Sequence, residues 1–214
     1  MHRVSRCTAS IVAISLLVAA EATAQNVGGL GAPLFGLATA PNGDLVVADA
    51  STGLLTIRDG AAGVSVPLPG ATDASAIGHG ALWASTGASG GPTGAASDTG
   101  QGVHRVSPGA SRKLVSLFAF EAANNPDGRA IESNPFDIQS LGGDAALVAD
   151  AAGNTLLEVT NQGDVRVLAV FPNEIVSTAN LKQLAHCPSP APFCGLPPAM
   201  PAQLAATRSR QTSV

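Results

Sequence analysis

Oxygen-bearing side chains crowd two parts of this chain. Asp73 ends the stretch Gly70-Ala-Thr-Asp73, and Asn125, Asp127, Glu132, Asn134 and Asp137 follow closely on one another further on. Carboxylates and amides are the ligands a hard cation such as Ca²⁺ takes, so a Ca²⁺ site is the chemistry these residues would support if they converged. The same residues also form turns. In Asn124-Asn-Pro-Asp-Gly128 and Ser133-Asn-Pro-Phe136, Asn and Asp can bond their own backbone, and this plainer reading ranks first. Other reactive groups are sparse. His79, His104 and His186 are scattered, and no Ser/His/Asp grouping or His-x-x-x-His spacing links them. Cys187 and Cys194 flank a Pro-rich run, where a disulfide would contribute about 2 to 3 kcal/mol. A metal site there would have only His186 beside two thiols and lacks the paired spacing of zinc motifs.

Positioning such residues falls to a chain of 214 residues, enough for one domain with a tail. Charged residues are 12% and aromatics 3%, with 24 Gly and 15 Pro against 45% hydrophobic residues. That balance suits short strands joined by tight turns and excludes coiled coil and polar disorder. A net charge of -4 and the lack of any Lys/Arg cluster argue against nucleic acid as a partner.

The first 24 residues read as a signal peptide. Arg3 and Arg6 precede the apolar run Ile11 to Ala20, and Ala22-Thr-Ala24 supplies small residues for cleavage before Gln25. The run is about half the ~20 residues of a spanning helix, and Cys7 precedes it rather than ending it. The expected mature protein is secreted or periplasmic and has no stable membrane insertion.

From 25 to 171 the chain repeats itself. Gly36 to Ala40, Asp44 to Asp49, Gly53 to Ile57 and Val64 to Leu68 form one four-strand unit. An offset of 101 places Leu37 on Ile138 and Asp49 on Asp150, and Leu54 to Ile57 matches Leu156 to Val159 after a one-residue slip. A worn middle copy runs through Ala74 to Gly78, Ala81 to Ser85, Gly102 to Val106 and Lys113 to Phe118. There Ser85 replaces the strand-end Asp, a Gly/Ser/Thr/Ala insertion spans Thr86 to Gly100, and a polar loop runs from Glu121 to Asn134. The expected fold is all-β: a β-propeller of four-stranded antiparallel blades, preferred over a sandwich because of the internal repetition. Three blades are recognisable where about 4 to 8 close a ring, so the ring is expected to be incomplete. Residues 172 to 214 form a Pro-rich tail with the cysteine loop and a short helix around Thr178 to Leu184. No further strand unit is visible in that tail.

Asn124-Asn-Pro-Asp-Gly128, Ser133-Asn-Pro-Phe136, Leu147-Val-Ala-Asp-Ala-Ala-Gly-Asn154 and Leu168-Ala-Val-Phe-Pro172 together resemble the ScyD/ScyE family. The resemblance covers roughly Leu30 to Gln203 and implies an exported, NHL-like β-propeller. Members of that family continue into further Pro-Asp-Gly blade turns, which makes this chain look like a C-terminally truncated copy.

In a propeller the loops entering each first strand surround one mouth of the central channel. Asp73, Asn125, Asp127, Glu132, Asn134 and Asp137 are therefore the candidate ligand-binding residues. Asp49 and Asp150 end equivalent strands before turns, where a carboxylate accepts backbone N–H bonds in a structural role. Trp83, among small residues, reads as core filling. No complete catalytic group is visible, so the expected function is a binding or scaffold module for a small molecule or protein. Its rivals are a Ca²⁺-dependent lactonase-like hydrolase and a fragment without function. No cofactor is called for beyond that possible Ca²⁺.

Overall fold

The computed structural model describes residues 28, 30–31, 33–58, 61–78, 80–88, 97–179 and 199–202. The signal peptide, His79, most of the Thr86 to Gly100 insertion, nearly all of the short helix, and Cys187 and Cys194 lie outside the described residues.

Three four-stranded antiparallel meanders make up most of the described chain. The first is β1 (Leu34–Thr39), β2 (Leu45–Asp49), β3 (Gly53–Arg58) and β4 (Ala61–Pro67). The second is β5 (Ala71–Gly78), β6 (Ala81–Thr86), β7 (Gly102–Ser107) and β8 (Ala110–Ser116). The third is β9 (Pro135–Ser140), β10 (Ala145–Asp150), β11 (Thr155–Thr160) and β12 (Val165–Val170). Strands pair in chain order within each sheet. The expected propeller of four-stranded blades is therefore what forms, and the three described blades do not by themselves close a ring.

Register bears out the repeat. Leu37 pairs with Val47 and Ile138 with Val148, while Ala48 faces Leu54 and Ala149 faces Leu156, which reproduces the one-residue slip.

Alternation along the middle blade explains why three sheets pack as one stack. Successive strand side chains point to opposite faces, so Leu82 and Ala84 join a core with Val46, Ala48, Leu54 and Val66 of the first blade. Trp83 points the other way, into a core with Ile138, Val148, Leu157 and Val159 of the third. Trp83 is fully buried, donates Nε1–H to the Gly142 carbonyl at 2.9 Å, and lies under the Arg105 guanidinium at 4.9 Å. Its reading as core filling holds.

The first strands β1, β5 and β9 lie side by side. A Cβ on Gly36 would stand 2.7 Å from the Asp73 Cα and 2.8 Å from the Thr72 carbonyl oxygen, so only glycine lets β1 approach β5 this closely. Between β5 and β9, side chains take over from a backbone ladder. Ile138 N–H donates to Asp73 Oδ2 at 3.1 Å, and Ser140 N–H donates to Ser75 Oγ at 2.9 Å.

Two expectations need correction. The fourth strand of the middle blade stops at Ser116 rather than Phe118, and a helix, α1 (Leu117–Asn124), occupies the start of what reads as a polar loop. Ser116 caps it, its Oγ accepting from Ala119 N–H at 3.2 Å, and Asn125 ends it in the left-handed conformation with φ 41°. In the tail the described residues add one short sheet, which is not a further four-strand unit. β13 (Glu174–Ser177) and β14 (Ala199–Ala202) pair as a two-stranded antiparallel sheet, assembled across a separation too long for local pattern to reveal. Among the described residues no helix is long and apolar enough to cross a membrane.

Candidate ligand site

Asp73 near the start of β5 and Asp137 on β9 set their carboxyl groups beside one another in the wall of one cavity. Two features of the backbone bring them together. Both strands carry a bulge at their first residues, between Ala71 and Asp73 on β5 and opposite Ala149 and Asp150 on β9, which turns the carboxyls toward one another. Ile138 N–H then anchors Asp73 from the neighbouring blade.

Burial pushes the Asp73 carboxyl up to about 7, and the neighbouring Asp137 adds to the effect. A second carboxyl beside it disfavours ionisation of Asp73, as burial does, so Asp73 takes up its proton near neutral pH. The pair lies in the wall of a cavity of about 400 Å³ bounded by the three inner strands. Phe35 and Phe136 stand beside it edge to face, with ring centroids 5.2 Å apart. An apolar platform next to a proton-linked carboxyl pair can hold a small cation that carries an apolar group.

The other predicted ligand residues do other things. Asn125 and Asp127 hold their own turn: Asn125 Nδ2 donates to the Arg129 carbonyl at 3.0 Å, and Arg129 N–H donates to Asn125 Oδ1 at 3.1 Å and Asp127 Oδ1 at 3.0 Å. Asp127 Oδ2 also accepts from Asn154 Nδ2 at 3.1 Å. Asn134 is buried and joins blades, its Oδ1 accepting from Ala88 N–H at 2.9 Å. Glu132 is half-buried. Among the described residues, no three His, Cys, Asp or Glu side chains stand ready as a metal-ligand set.

The strand-end acids take up backbone donors as their position implies. Asp49, fully buried, accepts from Ser51 Oγ at 2.7 Å, from Ser51 N–H at 2.9 Å, from Thr52 N–H at 3.2 Å and from Gly31 N–H. Burial alone would raise its pKa, but these donors outweigh burial and bring it down to about 2. Asp150 accepts from Ser133 Oγ at 2.6 Å, Asn134 N–H at 2.7 Å and Gly153 N–H at 3.1 Å. There burial wins over the donors and the carboxyl is pushed up. In the middle blade Ser85 replaces the acid, bonding Thr72 Oγ1 at 2.9 Å, while Thr72 donates to the Pro135 carbonyl at 2.9 Å.

One buried acid escapes sequence reasoning. Glu121 on α1 is 2% exposed, and burial pushes its carboxyl up to about 7, with Asp127 and Asp150 adding to the rise. His104 is buried beside Thr86, its Nε2 lying 3.1 Å from Thr86 Oγ1, and burial followed by Lys113 lowers its pKa to about 4. It is a packed, neutral imidazole in the body of the blade.

No family model matches the chain, and no curated protein does. Solved structures do resemble it. Selenomethionine-substituted virginiamycin B lyase from Staphylococcus aureus is 18% identical with a TM-score of 0.45, over 65% of this chain and 41% of that one. A catalytically inactive form of the Staphylococcus aureus lyase with Quinupristin gives 18% identity and a TM-score of 0.46, over 66% of this chain and 42% of that one. A streptogramin B lyase gives 16% identity and a TM-score of 0.44, over 67% of this chain and 44% of that one. The chain spans about two fifths of the length of these solved structures.

Proposed function

We propose that this protein is an exported β-propeller of the ScyD/ScyE kind that binds a small ligand without transforming it. The ligand class is a primary amine or similar cation bearing an aromatic or apolar group. One observation carries the reading: the Asp73 and Asp137 carboxyls lie together in the wall of a cavity that Phe35 and Phe136 also line. A cation entering there displaces the proton and gains two carboxylates, while its apolar part covers the phenyl rings. Export belongs to the same reading and rests on Arg3, Arg6, the apolar run and Ala22-Thr-Ala24, as does a Cys187–Cys194 disulfide.

Saturation-transfer NMR with benzylamine and benzyl alcohol tests it. Benzylamine should show transfer with the wild-type protein, benzyl alcohol far less, and D73N or D137N should abolish the difference. Equal transfer for amine and alcohol, or amine binding unaffected by both substitutions, would overturn the proposal.

A hydrolase is the second reading, because a carboxyl pair poised near neutral pH is also what general acid–base chemistry uses. Ca²⁺-dependent opening of a simple lactone that disappears in D73N would favour it over binding alone.

A further inference from the structure

Leu37 holds the same place in its blade as Ile138 and has the opposite surroundings. The pairs Leu37 with Val47, Ala74 with Ala84 and Ile138 with Val148 are equivalent in the three blades. Ala74 is buried in the core with the first blade and Ile138 in the core with the second, whereas Leu37 is 63% exposed against 2% for Ile138. Leu45 on β2 repeats the contrast: its equivalents Leu82 and Ala146 are buried in those cores, and Leu45 is exposed. Val47 and Leu55 on the same face are buried but belong to neither inter-blade core, so the face is open at Leu37 and Leu45.

The third blade is open on its other face. Val46 and Trp83, next after Leu45 and Leu82, are buried against the following blade, while Leu147 holds that position in the third blade and is half-buried. The neighbouring row agrees. Ala48, Leu54 and Val66 pair across the first blade inside its core with the second, and the equivalent row of Ala149, Leu156 and Ala169 is only half-buried. β13 follows the third blade but does not lie along β9 as β5 lies along β1, so among the described residues no further blade covers this face. An apolar sheet face of a kind that the two preceding blades keep covered marks an interaction surface.

We propose that the occupant of each open face is a second copy of this chain, the first blade of one copy packing on the third blade of the other. The fold itself shows what fits there. Each inter-blade core joins the Val46-type face of one blade to the Leu37-type face of the next, and the two open faces are one of each type. Because the halves differ, the contact runs head to tail, and such a contact either closes a ring or extends into a filament. Three blades from each copy give six in a closed pair, inside the range of about 4 to 8 at which propellers close. Closure covers Leu37, Leu45, Leu147 and Leu156 together. It also makes the cavity that Asp73 and Asp137 line part of one central channel, with its counterpart from the second copy across the axis.

Sedimentation velocity of the full-length purified protein over a range of concentrations tests this. The wild type should sediment as a compact dimer. L37E alters one face and L156E the other, and each should weaken association by about tenfold or more, since a glutamate carboxylate would be buried at both contacts of the ring. Mixing the two variants should restore part of the association, because the third blade of the L37E copy and the first blade of the L156E copy are both intact. A wild type that stays monomeric, assembly that grows beyond the dimer, a dimer indifferent to L37E, or a mixture that stays monomeric would overturn the proposal. Should L156E fail to fold, L37E decides, because Leu37 is already largely in solvent and the change leaves the blade's own packing alone. Amine binding at Asp73 and Asp137 is read separately, so either proposal can fail while the other stands.

Discussion

Asp73 and Asp137, on the first strands of neighbouring blades, lie together in the wall of the inter-blade cavity, where burial and the neighbouring Asp137 favour the proton-bearing form of Asp73. The folded protein holds this proton well above the ordinary range of an aspartic acid.

Stability should record that proton. Asp73 has a folded pKa of about 7 against an ordinary value of 3.8, so between these values the folded state binds a proton that the unfolded chain has released. Stability attributable to the pair is therefore greatest at low pH and is lost as pH rises from about 4 through 7, with a slope of up to about 1 kcal/mol per pH unit. D73N removes this contribution. Urea unfolding of wild type and D73N from pH 4 to 8 should show the wild type losing ground to the variant as pH rises. Parallel curves would contradict the raised pKa of Asp73.

Asp49 behaves in the opposite sense. Its four donors point at a carboxylate, and replacing one oxygen by an amide would set an N–H against other donors. D49N should lose about 2 to 4 kcal/mol at neutral pH. With a folded pKa of about 2, the stabilisation is present above about 4 and lost as pH falls toward 2, so the gap between the two proteins should narrow in acid. Chemical denaturation at pH 7 and pH 3 measures both values.

Gly36 sets the spacing of the inner strands. A methyl group there would meet the Asp73 Cα at 2.7 Å and the Thr72 carbonyl, both backbone atoms that cannot swing away. G36A should cost about 2 to 4 kcal/mol and weaken amine binding by pushing β1 away from the cavity wall. Thermal unfolding together with the NMR assay separates the two effects.

Trp83 joins the second blade to the third through its ring, its bond to Gly142 and the Arg105 guanidinium above it. W83A should cost about 3 to 5 kcal/mol, in the range of large buried aromatics. W83F, which keeps much of the packing but loses the bond to Gly142 and most of the cation–π contact, should cost clearly less. Equal losses would show that the polar contacts, not the packing, hold the blades together.

The blades were legible because strand alternation and glycine turns are local signals. Leu37 and Ile138 could be matched across 101 residues before any register was known, and the register agrees. The helix was not, because Leu117 to Asn124 lies between a strand and a run of turn formers whose polarity masks it. Its signal was present in Ser116 as cap, followed by Ala119, Glu121, Ala122 and Ala123. Asp73 and Asp137 were both visible as candidates, but not as a pair: their meeting depends on two bulges and on blade-to-blade approach, neither of which leaves a local pattern. Glu121 stayed hidden because its burial depends on where α1 packs, against β7 and β8 and beside the Gly153 turn of the third blade. The antiparallel pairing of β13 with β14 joins segments too far apart for pattern to connect.

The most direct measurement is an NMR titration of the Asp73 side-chain carboxyl carbon, with and without benzylamine. The carboxyl pair predicts an apparent pKa of about 7 in the free protein, falling on ligand addition and returning toward the ordinary range in D137N. A carboxyl that titrates near 4 in the free protein, or whose titration ignores both the ligand and D137N, would contradict the account.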